Sequence, residues 1–400
     1  MARPDAILTR IACAAAALMP FFVLLGPAGG DIAGSFIAVL FLLHSAIARD
    51  WRWTRERWVQ CALALTLFIS LRALWAPDAI SLWRAATWLR YPVFGAALAF
   101  WCLRGEATRK RLFLVACIAA ALLVADTLVQ YVFHVDLTGR PRIDYGSIVR
   151  LTGPYKSPHV GSVILALIFP ALLTRRFWPG VVLGVAATIA IYLSGERMPL
   201  LLLLLGFLLS FLLLPRARAM LAAVLLTAVL GAAALTLTQP VLHTRHIDDT
   251  RQQFAGGLWQ SAYGQVWHSA LAIAEAHPLA GVGSEEFSRI CPDPAYGETT
   301  PRALHFRCPQ HPHNIYLQWF AENGIVGLGL YCGMLACWIG TVARRSFVWS
   351  NEPLATALVV TLLVRLWPLA VGTNLFSSWS AMTLWLVAGW LLALLAAGES

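Results

Sequence analysis

The chain has 400 residues, of which 59% are hydrophobic and only 12% charged, with a mean hydropathy of +0.69. Soluble domains carry roughly 25% charged residues, so a soluble fold is excluded. The formal net charge is +10, and of the 30 basic residues only Lys110 and Lys156 are lysine; the arginines alternate with apolar runs, which argues against nucleic acid as the partner.

Apolar runs recur from residue 7 to residue 397 with short polar breaks. Their lengths predict an all-α polytopic membrane protein of about 12 transmembrane helices. The expected spans are 7–25, 31–48, 58–75, 82–103, 112–132, 159–174, 177–194, 198–214, 219–238, 324–343, 353–371 and 379–397. The first follows Arg3 and could pass for a signal peptide, but no small-residue cleavage site stands out and a second span follows at once, so it is expected to be retained. Poly-Leu stretches such as 200–205 do not alternate, which excludes a β-barrel. Residues 1–238 therefore hold nine helices, 239–313 one large loop, and 314–400 three more helices. Six of the eight cysteines fall inside apolar spans and pack as small hydrophobes. Cys291 and Cys308 lie outside them, and would pair in an oxidising compartment or remain free thiols.

Orientation follows from the basic turns. Arg49 to Arg57, Arg104 to Arg111, Arg175 with Arg176, Arg216 with Arg218, and Arg344 with Arg345 occupy alternate connections. By the positive-inside rule these turns are cytoplasmic, and both termini are inside. At 1.5 Å per residue, Arg72, Arg84, Arg90, Asp126, Arg197 and Arg365 then all fall in the outward half of the membrane. Ionisable groups at that depth are costly and mark function, so the arginines are expected to line an outward cavity for an anion; Arg72 and Arg84 have the alternative of snorkelling to lipid phosphates. Arg90, about 9 Å deeper than Arg84 in a regular helix, is the better buried candidate. Arg140, Arg142, Arg150 and Lys156 before the sixth span, and Arg245, Arg251, Arg289, Arg302 and Arg307 in the large loop, add cations on the same side. Phosphate or pyrophosphate is the expected ligand, since an Arg fork grips two of its oxygens.

Within the loop, Tyr263–Ala276 has Val266, Ala270, Ile273 and Ala274 at helical spacing, stopped by His277-Pro278. Further on, His311-Pro312-His313-Asn314 precedes an apolar run. A helix beginning there places unpaired N–H groups beside the imidazole and disfavours the imidazolium. A neutral His313 is suited to take a proton from a hydroxyl, with His311 orienting it and Asn314 next to it. The alternative, a metal held by the His-x-His pair, lacks a third ligand at helical spacing.

These residues resemble the O-antigen ligases and their relatives, the O-antigen polymerases and protein O-oligosaccharyltransferases. His313-Asn314, nine residues, and Gly324-Ile325-Val326-Gly327 match one family motif; Arg197 after Ser194-Gly195-Glu196, with Leu201 beyond, matches another; His277-Pro278-Leu279-Ala280-Gly281-Val282-Gly283 matches a third, with Trp267 before it. The position at which the family carries a second arginine holds Tyr263, and Arg245 and Arg251 are the nearest replacements. Lys156, in Gly153-Pro154-Tyr155-Lys156-Ser157-Pro158-His159, is another candidate cation.

The resemblance implies a GT-C-like glycosyltransferase in the bacterial inner membrane with its active site facing the periplasm. It would use no metal or other cofactor, and would move a glycan from undecaprenyl pyrophosphate to a lipid A-core acceptor with inversion. His313 and Arg197 are then the catalytic pair, and Arg90, Arg245, Arg251, Lys156, His311 and Asn314 bind substrate. A polymerase using the same donor, or a transporter of glycan or anion, is the alternative.

Overall fold

The computed structural model describes residues 4–75, 79–145, 148–174, 176–370, 374, 376 and 378–397; Arg175 of one basic turn lies outside them. Among the described residues the protein is all-α apart from one two-stranded antiparallel sheet. Its main helices are α1 (Pro4–Leu24), α2 (Pro27–Ala48), α3 (Arg57–Ala73), α4 (Ala79–Thr87), α5 (Arg90–Ala97) and α6 (Glu106–Phe133). The hairpin follows, β1 (Ile143–Tyr145) with β2 (Ile148–Arg150), then α7 (Val160–Leu173), α8 (Phe177–Leu193), α9 (Arg197–Leu213) and α10 (Arg218–Thr238). The large loop holds α11 (Ala262–Ala276) and α12 (Pro301–Arg307), and the chain closes with α13 (Ile315–Arg344), α14 (Pro353–Arg365) and α15 (Ser378–Ala397).

Among the described residues, six helical segments are long and apolar enough to cross a bilayer: Asp5–Leu24, Pro27–Ala48, Glu106–Phe133, Pro215–Thr238, Ile315–Arg344 and Trp379–Ala397. The apolar helices α7, α8, α9 and α14 are shorter, at 13 to 17 residues. On α10 the outward side chains are Leu226, Val229, Leu230 and Leu237, each more than half exposed. Such a continuous apolar face needs lipid rather than water against it, and the protein is a multi-pass membrane protein.

Two expected spans are built differently from expectation. The run 82–103 is not one regular helix: the chain turns at Trp88-Leu89, restarts at Arg90 and ends in a wide π turn over Leu98–Cys102. The helix expected to begin at residue 324 begins instead at Ile315, and Gly324 is where it breaks, at φ +63°.

One core cluster gathers α1 to α5 and the start of α6 with α13, α14 and α15. Its centre is a chain of aromatic rings in which Trp385 stands 4.8 Å from Trp338, 5.8 Å from Trp58 and 6.4 Å from Trp88, and Trp88 meets Trp319 at 6.0 Å. A second cluster joins α6 to α10 with α14. Asp126 and Gln130, near the end of α6, latch the following segment: Asp126 Oδ1 accepts from the Leu137 amide at 2.7 Å, and Gln130 Oε1 accepts from Thr152 and Gly153 at 2.8 and 2.9 Å. Buried backbone groups demand partners, so these polar side chains fix the hairpin that ends in Arg150. They hold structure rather than ligand.

Candidate active site

Between α8 and α9 lies the turn Ser194-Gly195-Glu196. Ser194 Oγ donates to the Ile191 carbonyl at 2.7 Å. Gly195 takes φ +71°, a left-handed conformation open to glycine, and its carbonyl then receives Arg245 Nε and Nη2 at 3.1 and 2.9 Å and Arg150 Nη1 at 3.2 Å. Arg197, the first residue of α9, donates to Thr250 Oγ1 at 2.8 Å and Gln253 Oε1 at 2.5 Å. Neutral acceptors hold the Arg197 guanidinium in place without cancelling its charge, while Arg245 also pairs with Asp249 at 3.4 Å, so three arginines stand together with one of them partly neutralised. Glu196 is 6% exposed and its Oε1 accepts from the Gly161 amide at 2.8 Å. Burial pushes its carboxyl up to about 7, against the opposing pull of that amide and of Arg150.

The histidines approach from the other side of the sequence. His313 has φ +54°, a strained conformation for a residue with a Cβ, and strain of that kind persists where surrounding structure imposes it. Directly after it Asn314 caps α13, its Oδ1 accepting from the Tyr316 and Leu317 amides at 3.0 and 3.1 Å. His311 Nδ1 accepts from the His313 amide at 3.2 Å. Burial, with the His313 and His159 imidazoles adding to it, lowers the His311 pKa to about 3. His311 is therefore neutral at physiological pH, and with Nδ1 as acceptor its proton sits on Nε2, aimed away from the backbone. The two rings are 4.5 Å apart, and Tyr263 lies 6.3 Å from His313.

Arg150, Glu196, Arg197, Arg245, Tyr263, His311 and His313 line one cavity of about 350 Å³, shared with His159, Arg365 and Trp379. Of the residues expected at the site, His313, Arg197, His311 and Arg245 meet there. Tyr263, which stands where the family's second arginine was expected, faces the same space, and Arg245 supplies a cation beside it. Arg90, Arg251, Lys156 and Asn314 are not among its lining residues. Arg90 pairs with Asp31 at 3.0 Å and donates to the Thr87 carbonyl and Tyr91 hydroxyl. Arg251 and Lys156 are exposed, and the Asn314 oxygen is occupied as a helix cap. Arg150, His159 and Glu196 were not singled out from sequence. Arg150 was one loop cation among many, and the environment that tunes Glu196, the start of α7, lies 35 residues away.

The glycine motifs do different work. Gly281 and Gly324 both have positive φ, and a Cβ on Gly324 would stand 2.2 Å from the Leu279 carbonyl oxygen. The break in α13 lets Ile325 and Val326 donate to the Pro278 and Leu279 carbonyls at 2.8 and 3.3 Å, while Val282 and Gly283 donate to Ala321 and Glu322 at 3.1 and 2.7 Å. The two motifs thus form a single backbone interlock between loop and helix. Arg72 donates to the Gly281 carbonyl at 3.0 Å and Arg84 pairs with Glu285 at 3.1 Å, which ties the same loop to α3 and α4. Those two arginines engage protein, and neither lines the cavity.

Beyond the interlock, Cys291 and Cys308 are joined in a disulfide with Cα atoms 5.6 Å apart. Arg307, 4% exposed, donates to the Glu298, Cys291 and Tyr296 carbonyls at 2.7, 2.7 and 3.2 Å, an inward knot that organises this loop. Among the described residues no group of three His, Cys, Asp or Glu side chains is placed to hold a metal ion.

Residues 182–332 match the family model described as O-Antigen ligase. The matched segment runs from within α8 to within α13 and contains Arg197, Arg245, Tyr263, His311 and His313, so the resemblance to that family is shown over a part of the chain that supplies about half of the cavity lining. No curated protein matches the chain.

Proposed function

Starting from its match to the O-antigen ligase family, we propose that the protein transfers a glycan from undecaprenyl pyrophosphate to a sugar hydroxyl of lipid A-core. The reaction takes place at the periplasmic face of the bacterial inner membrane, in a bundle of about 12 spans with both termini in the cytoplasm. What carries this reading is one cavity that joins three arginines, Arg150, Arg197 and Arg245, to the histidines His311 and His313.

His313 takes the proton from the acceptor hydroxyl as its oxygen forms a bond to the anomeric carbon. The bond from that carbon to the pyrophosphate oxygen breaks, and the electron pair leaves with the pyrophosphate. Arg197 grips that leaving group, with Arg245 and Arg150 behind it, and charge developing in a preorganised field is stabilised without reorganisation. His311, neutral and accepting from the His313 amide, keeps a second positive charge away from the base. Direct attack inverts the anomeric centre.

Deletion in the native host tests the assignment. Lipopolysaccharide that retains core but no repeat unit is the expected product; core with a single repeat unit would indicate a polymerase instead. The topology has its own check: reporter fusions after Arg111 and Arg218 read cytoplasmic and one at Ala262 reads external, and a cytoplasmic signal at Ala262 would overturn the periplasmic site.

A further inference from the structure

The polar lining of the cavity falls into two sets of unlike chemistry. One is the cluster of arginines around Gly195 already described. The other comes from α14, α15 and the start of α7. In it Arg365, 7% exposed, donates through Nη2 to the Ser380 carbonyl at 3.0 Å and to Ser380 Oγ at 3.2 Å. Thr383 Oγ1 donates to the Trp379 and Ser380 carbonyls at 3.0 and 3.1 Å, closing the first turn of α15. The indole of Trp379 is held at its side by Tyr155, ring centroids 4.4 Å apart, and by His159 at 5.7 Å. Its Nε1–H is buried and meets no acceptor among the described residues.

We propose that this second wall, with Trp379 as its platform, binds the sugar ring that carries the attacking hydroxyl. The proposal rests on the transfer reading above and adds to it the place of the acceptor. A pyrophosphate calls for several cations together, and this wall offers one, already engaged with Ser380. A lipid chain would leave a guanidinium and an indole N–H facing hydrocarbon, at the cost of unsatisfied polar groups. A pyranose has both surfaces the wall asks for: an apolar C–H face that lies against an aromatic ring, and a rim of hydroxyls to accept from the indole N–H and the guanidinium.

The order of rings across the cavity supports the same placement. Tyr263 lies 6.3 Å from His313, His313 lies 4.5 Å from His311, and His311 is close enough to His159 for the two imidazoles to act on each other, with His159 beside Trp379. The histidine pair therefore stands between the phosphate wall and the indole. A ring seated on Trp379 presents its hydroxyl to His313 with the donor's anomeric carbon on the far side, as in-line displacement requires.

The test uses the full-length protein in proteoliposomes of phosphatidylethanolamine and phosphatidylglycerol, with a tagged undecaprenyl-pyrophosphate glycan as donor and purified lipopolysaccharide lacking O antigen as acceptor. Trp379→Ala is expected to raise the KM for acceptor about tenfold while the KM for donor stays within about twofold, since taking one aromatic platform out of a binding site is a change of that order. Trp379→Phe, which keeps a ring and removes the N–H, is expected to raise the acceptor KM less. A donor KM that rises as much as the acceptor KM, or an acceptor KM unchanged in Trp379→Ala, overturns the subsite.

Binding is measured separately, by saturation-transfer NMR of the soluble core oligosaccharide with the Arg197→Lys protein. Signal retained there and abolished on adding Trp379→Ala supports the subsite; signal that persists without Trp379 overturns it. If the wild-type protein transfers nothing yet binds the oligosaccharide through Trp379, the transfer reading fails and the subsite stands. If transfer proceeds with no dependence on Trp379, the subsite fails and the transfer reading stands.

Discussion

At Gly195 and at Gly324 the chain leaves helical geometry with φ +71° and +63°, yet the two breaks serve opposite ends. The first turns a carbonyl toward two arginines and leaves Glu196 and Arg197 facing the cavity. The second uses up its backbone groups in hydrogen bonds to Pro278, Leu279, Val282 and Gly283, and the residues around it contribute no side chain to the cavity lining. Both belong to motifs that resemble the same family. A motif residue can thus carry chemistry or merely hold the element that does, and the distinction lies in where its hydrogen bonds go.

The comparison is broken most severely by Gly324→Ala. At φ +63° and ψ −170° the backbone is in a region open essentially to glycine, where another residue costs about 1–3 kcal/mol, and the added Cβ would collide with the Leu279 oxygen. Little folded protein is expected in detergent extracts by gel filtration, and a folded but inactive variant would move Gly324 from scaffold to chemistry. Next in size, His313→Ala leaves the protein folded and lowers turnover roughly 100-fold or more, the range of general base catalysis. Arg197→Lys fails alongside it, because an ammonium keeps the charge and loses the fork; His311→Ala is milder. Transfer rates at matched expression check all three, and near wild-type transfer by His313→Ala sinks the base assignment.

A smaller, pH-dependent effect belongs to Glu196. Its carboxyl is raised to about 7 from the usual 4.5, so it is protonated at pH 6 and ionised at pH 8. Ionisation puts a negative charge beside Arg150, where the donor's phosphates would bind. The KM for donor is expected to rise a few-fold across that interval and to flatten in Glu196→Gln, whose amide oxygen still accepts from Gly161. The sign for stability is the same: a raised folded value stabilises below the unfolded pKa, and that contribution is lost as pH rises through 7. Smallest of all, Asn314→Ala removes a helix cap and lowers stability by about 1 kcal/mol, read as a thermal shift. A loss of turnover as large as that of His313→Ala would restore Asn314 to the substrate.

The sequence made the all-α membrane class legible because apolar runs of span length have few other readings. Arg197, His311, His313 and Arg245 were legible too, each from a motif or from a cation placed near one. Arg90 misled because depth in a span says that a charge needs a partner, not which one, and Asp31 supplied it from another helix. Arg251 and Arg245 were equivalent on paper; only the Gly195 carbonyl, 50 residues away, separates them. Trp379 carried no local signal at all, since an indole at the start of an apolar helix reads as an interfacial anchor. Its neighbours Tyr155 and His159 come from the other half of the chain.

The interlock at Gly281 and Gly324 also makes a cassette of what lies beyond it. Residues 284–309 leave α13 at the Gly283 hydrogen bond and come back toward it ahead of His311; Phe287 and Cys291 seat this excursion on α11, and the Cys291–Cys308 disulfide with Arg307 closes the exposed stretch 292–306. Cys291 and Cys308 bring the ends of that stretch together, so a longer insert between them can be accommodated without displacing His313. Each doubling of its length adds only about 0.6 kcal/mol of closure entropy. The exposed side chains of that stretch are thereby separated from the cavity lining, and a change among them leaves the arginines and histidines where they are.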